Sequence, residues 1–201
     1  MTWRVVEAPT KEPVTVDEAI THLREDIGFA QASYIMALIR AARQHVESIT
    51  GYAALEQIWE VPRRSFPASR GPRLQRWARE EREPLYLPGG NIKDVVSIKY
   101  VDTDGETKDY EDFHLRKAPP PLVEPLSEWP ATADRSDAVL VRIKVGHETP
   151  EAVPEPLRQA MLLLIGHWYA NREAVNVGNI VNEYPMAVDA LLQPYVDMSR
   201  I

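Results

Sequence analysis

The sequence predicts an α+β fold: a helical core, a β subdomain inserted within it, and a short C-terminal helix on a tether. Three observations carry that expectation. Residues 15–50 place apolar side chains at the i, i+3, i+4, i+7 spacing of amphipathic helices. Between residues 55 and 146 the period shortens to alternating or β-branched runs broken by Gly, Pro and Asp. From Val153 to Val175, reading VPEPLRQAMLLLIGHWYANREAV, a helical pattern returns with apolar residues around most of its circumference. Helices, then strands, then helices is the order of an α+β layout. The 201 residues are expected to form one domain. Its helical core would come from 14–51 and 153–174, with 55–146 inserted and 175–201 supplying a linker and a docking helix.

In chain order, residues 1–13 read as an extended arm. Trp3, Val5 and Val6 suit a sheet edge, while Pro9 and Pro13 keep the segment out of a helix. Thr15 followed by Glu18 is a capping box, in which each side chain accepts the other's backbone N–H. It opens a short helix to about Glu25 with Ala19, Ile20 and Leu23 on one face. A longer helix runs from about Gln31 to Thr50, carrying Ile35, Leu38, Ile39, Ala42, Val46 and Ile49. Gly51 then stands where a left-handed cap belongs.

Leu55–Val61 reads as a strand ended by Pro62, and Pro84–Pro88 as a short strand before a Gly89-Gly90 turn. Val95–Val101 is a better strand. Asp102–Gly105 turns the chain into a hairpin whose return strand starts at Thr107–Tyr110 and continues through Phe113–Arg116. Residues 118–137 are proline-rich with little periodicity and are expected to be loop. Ala138–Val145 (AVLVRIKV) is the strongest strand. Val175–Tyr184 is a polar linker, and Met186–Val196 a short amphipathic helix ending near Pro194.

The stretch from Val153 is the helix around which the rest is organised. Pro154 and Pro156 suit its first turn, where a missing N–H removes a donor that has no partner anyway. Glu155 sits at the positive end of its dipole. With Leu157, Ala160 to Ile165, Trp168 and Tyr169 distributed around it, this helix is expected to be enclosed by protein. A membrane span is a poor reading. The uncharged run Ala160–Asn171 is well short of the ~20 residues a bilayer requires.

Composition narrows the function classes. The chain has no cysteine, which removes disulfides, thiolate metal sites and a cysteine nucleophile. MTWRVVEAPTKEP lacks an apolar h-region, so no signal peptide is expected. A net charge of −7 favours solubility over general nucleic-acid binding. His22, His45, His114, His147 and His167 show no zinc spacing such as His-Glu-x-x-His, so no metal is expected. His167, beside Trp168, reads as a core or interface histidine. Neither a Gly-x-Ser-x-Gly elbow nor a phosphate-cradling loop is present, and no carboxylate pair stands out. Neither catalysis nor a cofactor is expected.

Two features point instead to contacts with macromolecules. Arg63–Arg82 contains seven arginines and two acids, a local +5 that leaves −12 for the rest of the chain. Arg73, Arg76 and Arg79 would line one helical face, with Leu74 and Trp77 on another. The segment either pairs with the acidic remainder of its own chain or a neighbouring subunit, or contacts phosphates in a salt-sensitive way. It lacks the interleaved aromatics of a single-strand binder and any helix-turn-helix spacing. Trp168, Tyr169 and Arg172 lie within two helical turns and are residue types common in interface hot spots. The tethered helix, with Met186, Val188, Leu191, Leu192, Tyr195 and Val196, must dock on its own domain or on a partner.

Several stretches also occur in a recognisable order: Thr15-Val16-Asp17-Glu18-Ala19 with His22-Leu23-Arg24; Ala41 to Glu47 with Thr50-Gly51; Ser97 to Asp102 with Gly105; Val145-Gly146 before Val153-Pro154-Glu155; Trp168-Tyr169-x-Asn171-Arg172-Glu173; and Leu191-Leu192-x-Pro194-Tyr195. Over about residues 14–197 this order resembles the head–tail connector, or adaptor, proteins of long-tailed bacteriophages and gene transfer agents. The resemblance implies a non-catalytic protein that assembles with copies of itself into a ring of twelve beneath the portal and extends the DNA channel. It would assemble in the bacterial cytoplasm and end in the neck of the particle. Its partners would be the portal protein, a tail-side stopper or head-completion protein, and DNA passing without sequence-specific contact. By the same resemblance Leu191, Leu192, Pro194 and Tyr195 would bind the portal. Trp168, Tyr169, Asn171, Arg172 and Glu173 would close the core helix, and Trp168, Tyr169, Arg172 and Glu173, with Arg73, Arg76 and Arg79, are the candidate subunit contacts. The alternative is a sequence-independent nucleic-acid-binding module working through Arg63–Arg82. That arginine segment and the 118–137 loop depart from the shorter family members.

Overall fold

The computed structural model of the chain describes residues 3–24, 29–67, 83–171 and 186–196. They form an α+β structure of two compact units: Met1–Ala8 with Gln57–Gly146, whose described residues are strand and loop, and Pro9–Glu56 with His147–Met198, whose described elements are helices. The insertion of β structure between helices is therefore as the residue periods predict.

The helical unit contains α1 (Val16–Leu23), α2 (Phe29–Thr50), α3 (Glu155–Ala170) and α4 (Met186–Leu192). The capping box is formed: Thr15 Oγ1 accepts the Glu18 N–H at 3.1 Å and Glu18 Oε2 accepts the Thr15 N–H at 2.7 Å. Arg24, in a left-handed conformation, ends α1. Gly51 ends α2 at φ 69°, where a Cβ would be strained, and its N–H bonds the Glu47 carbonyl at 2.9 Å. Ile35, Ile39, Ala42 and Val46 of α2 meet Leu157, Ala160, Met161, Leu164 and Ile165 of α3 in one core.

One expectation needs correcting here. α3 is not enclosed all round: Leu162, Leu163, Trp168 and Tyr169 are only partly buried. Its packed neighbours α1, α2 and α4 cover an arc of the helix rather than its full circumference. A charged cluster sits at the rim of this core. Arg43 bonds Glu12 at 2.8 Å and Glu47 at 2.9 Å, and the other Glu47 oxygen accepts the Ala54 N–H at 3.0 Å. Burial opposes the Arg43 charge, but the two carboxylates outweigh it and hold its pKa above the usual value.

The β unit contains two antiparallel sheets. The larger is ordered β1 (Arg4–Glu7), β2 (Gln57–Arg63), β8 (Val139–Val145), β4 (Ile92–Val101), β5 (Thr107–Asp109). The smaller is ordered β3 (Leu85–Tyr86), β7 (Leu122–Pro125), β6 (Phe113–Arg116). Trp59 and Val61 of β2, Val141, Ile143 and Val145 of β8 and Ile98 of β4 are buried. Trp3, just ahead of β1, stacks on Trp59 with ring centres 4.6 Å apart.

Three sequence expectations are revised. Pro62 does not end β2; it lies opposite Leu140, and β1 pairs no further along β2 than Glu60, so the missing N–H breaks no ladder among the described residues. Phe113–Arg116 does not continue the β4–β5 hairpin but pairs with β7 in the second sheet. The proline-rich 118–137 stretch is not all loop. Leu122 and Val123 are buried in β7, and Trp129 stacks on Phe66 at 4.5 Å, packs against Tyr110 at 5.0 Å and donates Nε1–H to the Glu83 carbonyl at 2.9 Å. Prolines obscure the period of a short strand, because they remove donors without removing the buried side chains beside them.

Candidate functional site

The histidines occupy separate places. Tyr52 Oη lies 3.0 Å from His147 Nε2, and His45 meets Trp168 edge-on at 5.8 Å. The His167 carbonyl accepts both the backbone and side-chain N–H of Asn171, closing α3. Among the described residues no group of three or more His, Asp or Glu side chains could hold a metal ion. No described helix is long and apolar enough to cross a membrane. Among the described residues, exposed hydrophobic side chains include Met186 of α4 and Val5 and Val6 of the larger sheet.

At the helical end, Trp168 and Tyr169 are tied into their own unit. Tyr169 donates its hydroxyl to Gln31 Oε1 at 2.8 Å and leans on Tyr34 at 6.3 Å. Arg172 and Glu173 lie outside the described residues, as does the 175–184 linker. α4 has two apolar faces. Val188 and Leu192 point into the core at 0% and 1% exposure, and Tyr195 sets its edge to Tyr52 at 5.6 Å. On the other face Met186, Ala187, Ala190 and Pro194 are exposed, and Leu191 is partly buried against the core at its margin. Of the four residues predicted to meet the portal, Leu192 is thus internal, whereas Leu191, Pro194 and Tyr195 reach the surface. Met186, at 84% exposure, belongs to the same face; the sequence places it among the docking residues of the tethered helix but not among the four portal contacts.

On the sheet, Arg4, Glu60 and Arg142 stand directly opposite one another on β1, β2 and β8. Glu60 Oε1 accepts from Arg4 and Oε2 from Arg142 Nε at 2.9 Å. The Glu60 side chain is 3% exposed while Arg4 and Arg142 keep 73% and 46% of theirs in solvent. Burial pushes the Glu60 carboxyl up; the two guanidinium hydrogen bonds outweigh it and hold the group below the ordinary carboxylate value. Sequence reading missed this row, because its members are 56 and 82 residues apart and only strand register aligns them. Arg63 and Arg64, the described start of the arginine segment, contact their own unit: Arg63 donates to the Tyr86 carbonyl at 2.9 Å and Arg64 pairs with Asp134 at 2.7 Å. Arg73, Arg76 and Arg79 lie outside the described residues.

Three solved structures that share this fold are chains of gene transfer agent particles. A chain from the neck of an empty gene transfer agent particle computed with C6 symmetry matches with a TM-score of 0.74 and 21% identity, over 98% of this chain and 95% of that one. A chain from the virion of a native gene transfer agent particle matches at 0.72 and 22%, and one from the neck of a native particle computed with C12 symmetry at 0.64 and 21%, with the same coverages. No family model matches the sequence, and no curated protein matches it.

Proposed function

We propose that this chain is a structural head–tail connector in the neck of a phage or phage-like particle. It forms a ring beneath the portal, extends the DNA channel and joins the filled capsid to the tail. The observation that carries this reading is the shared fold over 98% of the chain with neck components of gene transfer agents. Twelve copies accord with the C12 symmetry of one matched neck. Its partners are other copies of itself, the portal and a tail-side stopper, with assembly in the bacterial cytoplasm before incorporation into the neck. The exposed face of α4, with Met186 and Pro194 outward and the partly buried Leu191 and Tyr195 at its rim, supports a portal contact of the helix-in-groove kind. Leu192 holds that helix to the body and is not available to a partner in this conformation.

The test is electron microscopy of particles carrying a tagged copy of the chain, beside particles made without it. Tag density at the neck, and filled capsids lacking tails when the chain is missing, are the expected results. Normal tailed particles without the chain, or turnover of a small molecule by the purified protein, would overturn the reading. The nucleic-acid-binding alternative is tested by titrating duplex DNA at several salt concentrations. Strong binding that vanishes with salt and in an Arg73→Ala, Arg76→Ala, Arg79→Ala variant would favour that alternative.

A further inference from the structure

The larger sheet ends in two exposed strands, β1 and β5, and carries its charge unevenly between its two ends. We propose that the β1 edge of one copy of this chain docks against the β5 edge of the next, a head-to-tail contact that repeats around a ring. The inference rests on the ring reading above and names the surface that would build it. All four residues of β1 are exposed, including Val5 at 49% and Val6 at 41%, and all three residues of β5 are exposed. Apolar side chains of that size on an open sheet edge are surface that a second chain can cover.

Charge chooses which edge meets which. β1 and β2 balance, Arg4 and Arg63 against Glu7 and Glu60, and β8 behind them adds Arg142 and Lys144, a net +2 over the three strands. Residues 92–112, which hold β4, its turn and β5, carry three lysines against seven acids, a net −4. Asp104, Glu106, Asp109 and Glu111 are exposed there. Pairing β5 with β5 would set this acidic end against itself, whereas β5 against β1 sets it beside the exposed guanidinium groups of Arg4 and Arg142. Arg4 and Arg142 are held in place by Glu60, which stays ionised, so the positive side is ordered before a partner arrives.

Strand direction agrees with a repeating contact. Every neighbouring pair in the sheet is antiparallel, and with five strands the two outer ones run the same way. A rotation about an axis lying along the strands therefore brings β5 beside β1 of the next copy in parallel. The surfaces in contact differ, so the operation closes a ring instead of stopping at a dimer.

The chain's lack of cysteine makes a direct test possible. Val6→Cys and Thr107→Cys, both at exposed positions, are introduced together and singly. Circular dichroism checks that each variant is folded. The full-length proteins at high concentration and low salt, and particles carrying them, are treated with a short bis-maleimide. The double variant is expected to give a ladder beyond dimers, in either preparation, and the single variants no ladder. Adding Arg4→Glu and Arg142→Glu should reduce the ladder about tenfold. Dimers from Val6→Cys alone would mean β1 pairs with β1 and would overturn the proposal. So would necks that contain the double variant yet yield no cross-link. Particles whose necks lack the chain would count against the connector reading instead, and the purified protein would then decide this contact by itself.

Discussion

Leu192→Ala separates the two roles of the C-terminal helix. Leu192 is 1% exposed and sits in the helical core with Val188, Leu157 and Leu164 among its cluster. Truncating a buried leucine costs about 2–5 kcal/mol, because the lost transfer energy is joined by a cavity the surroundings only partly fill. A loss of about 3 kcal/mol lowers Tm by roughly 6–12 °C for a chain of this size. Leu191→Ala with Pro194→Ala removes one partly buried and one exposed side chain and should cost about 1–2 kcal/mol, less than Leu192→Ala. Thermal unfolding followed by circular dichroism at 222 nm measures both, and a pull-down on particles lacking tails measures attachment. The expected pattern is a destabilised Leu192→Ala and a less destabilised double variant that attaches poorly. A Leu192→Ala protein melting within about 1 °C of the parent would refute the packing argument. By the same logic removal of residues 185–201 weakens the fold, because it strips Val188 and Leu192 from the core.

Glu60→Gln should destabilise the β unit by roughly 1.5–3 kcal/mol at pH 7, nearer the lower figure because both arginines remain largely solvated. The Glu60 pKa is depressed in the folded state, so its contribution is present above the ordinary glutamate pKa and is lost as pH falls through the folded value; urea titrations at several pH values should show parent and variant converging in acid, and a constant gap would refute it. Trp129→Ala removes the stack on Phe66 and the bond to Glu83 and should cost about 3 kcal/mol with a loss of near-ultraviolet dichroism; an unchanged aromatic signal would show that the stack is absent in solution. Gly51→Ala forces a Cβ into φ 69° and should cost about 1–2 kcal/mol, with Gly51→Asn milder; equal melting of all three proteins would refute the left-handed cap.

Local signals were well expressed in the residues. The Thr15–Glu18 capping box, the Gly51 terminator, the Asp102–Gly105 turn and the β-branched run of β8 each act over a few neighbours, so their period or chemistry is visible without a fold. The C-terminal helix was legible as an element but not as to which residue faces where. Leu191 and Leu192 are adjacent and chemically identical, and 100° of helix rotation sends one toward the surface and the other inside.

By itself the sequence determined the fold class, the order of helical and β segments, the absence of thiol chemistry and the ordered motifs resembling a connector. Those properties depend on periodicity, composition and short-range hydrogen bonding, all of which are written along the chain. The tertiary structure alone decided that Phe113–Arg116 joins a second sheet, that Trp129 anchors the proline-rich stretch, and that Arg4, Glu60 and Arg142 share one row. Each of these is a meeting of residues tens of positions apart, set by strand register and packing, and no local pattern encodes such a meeting.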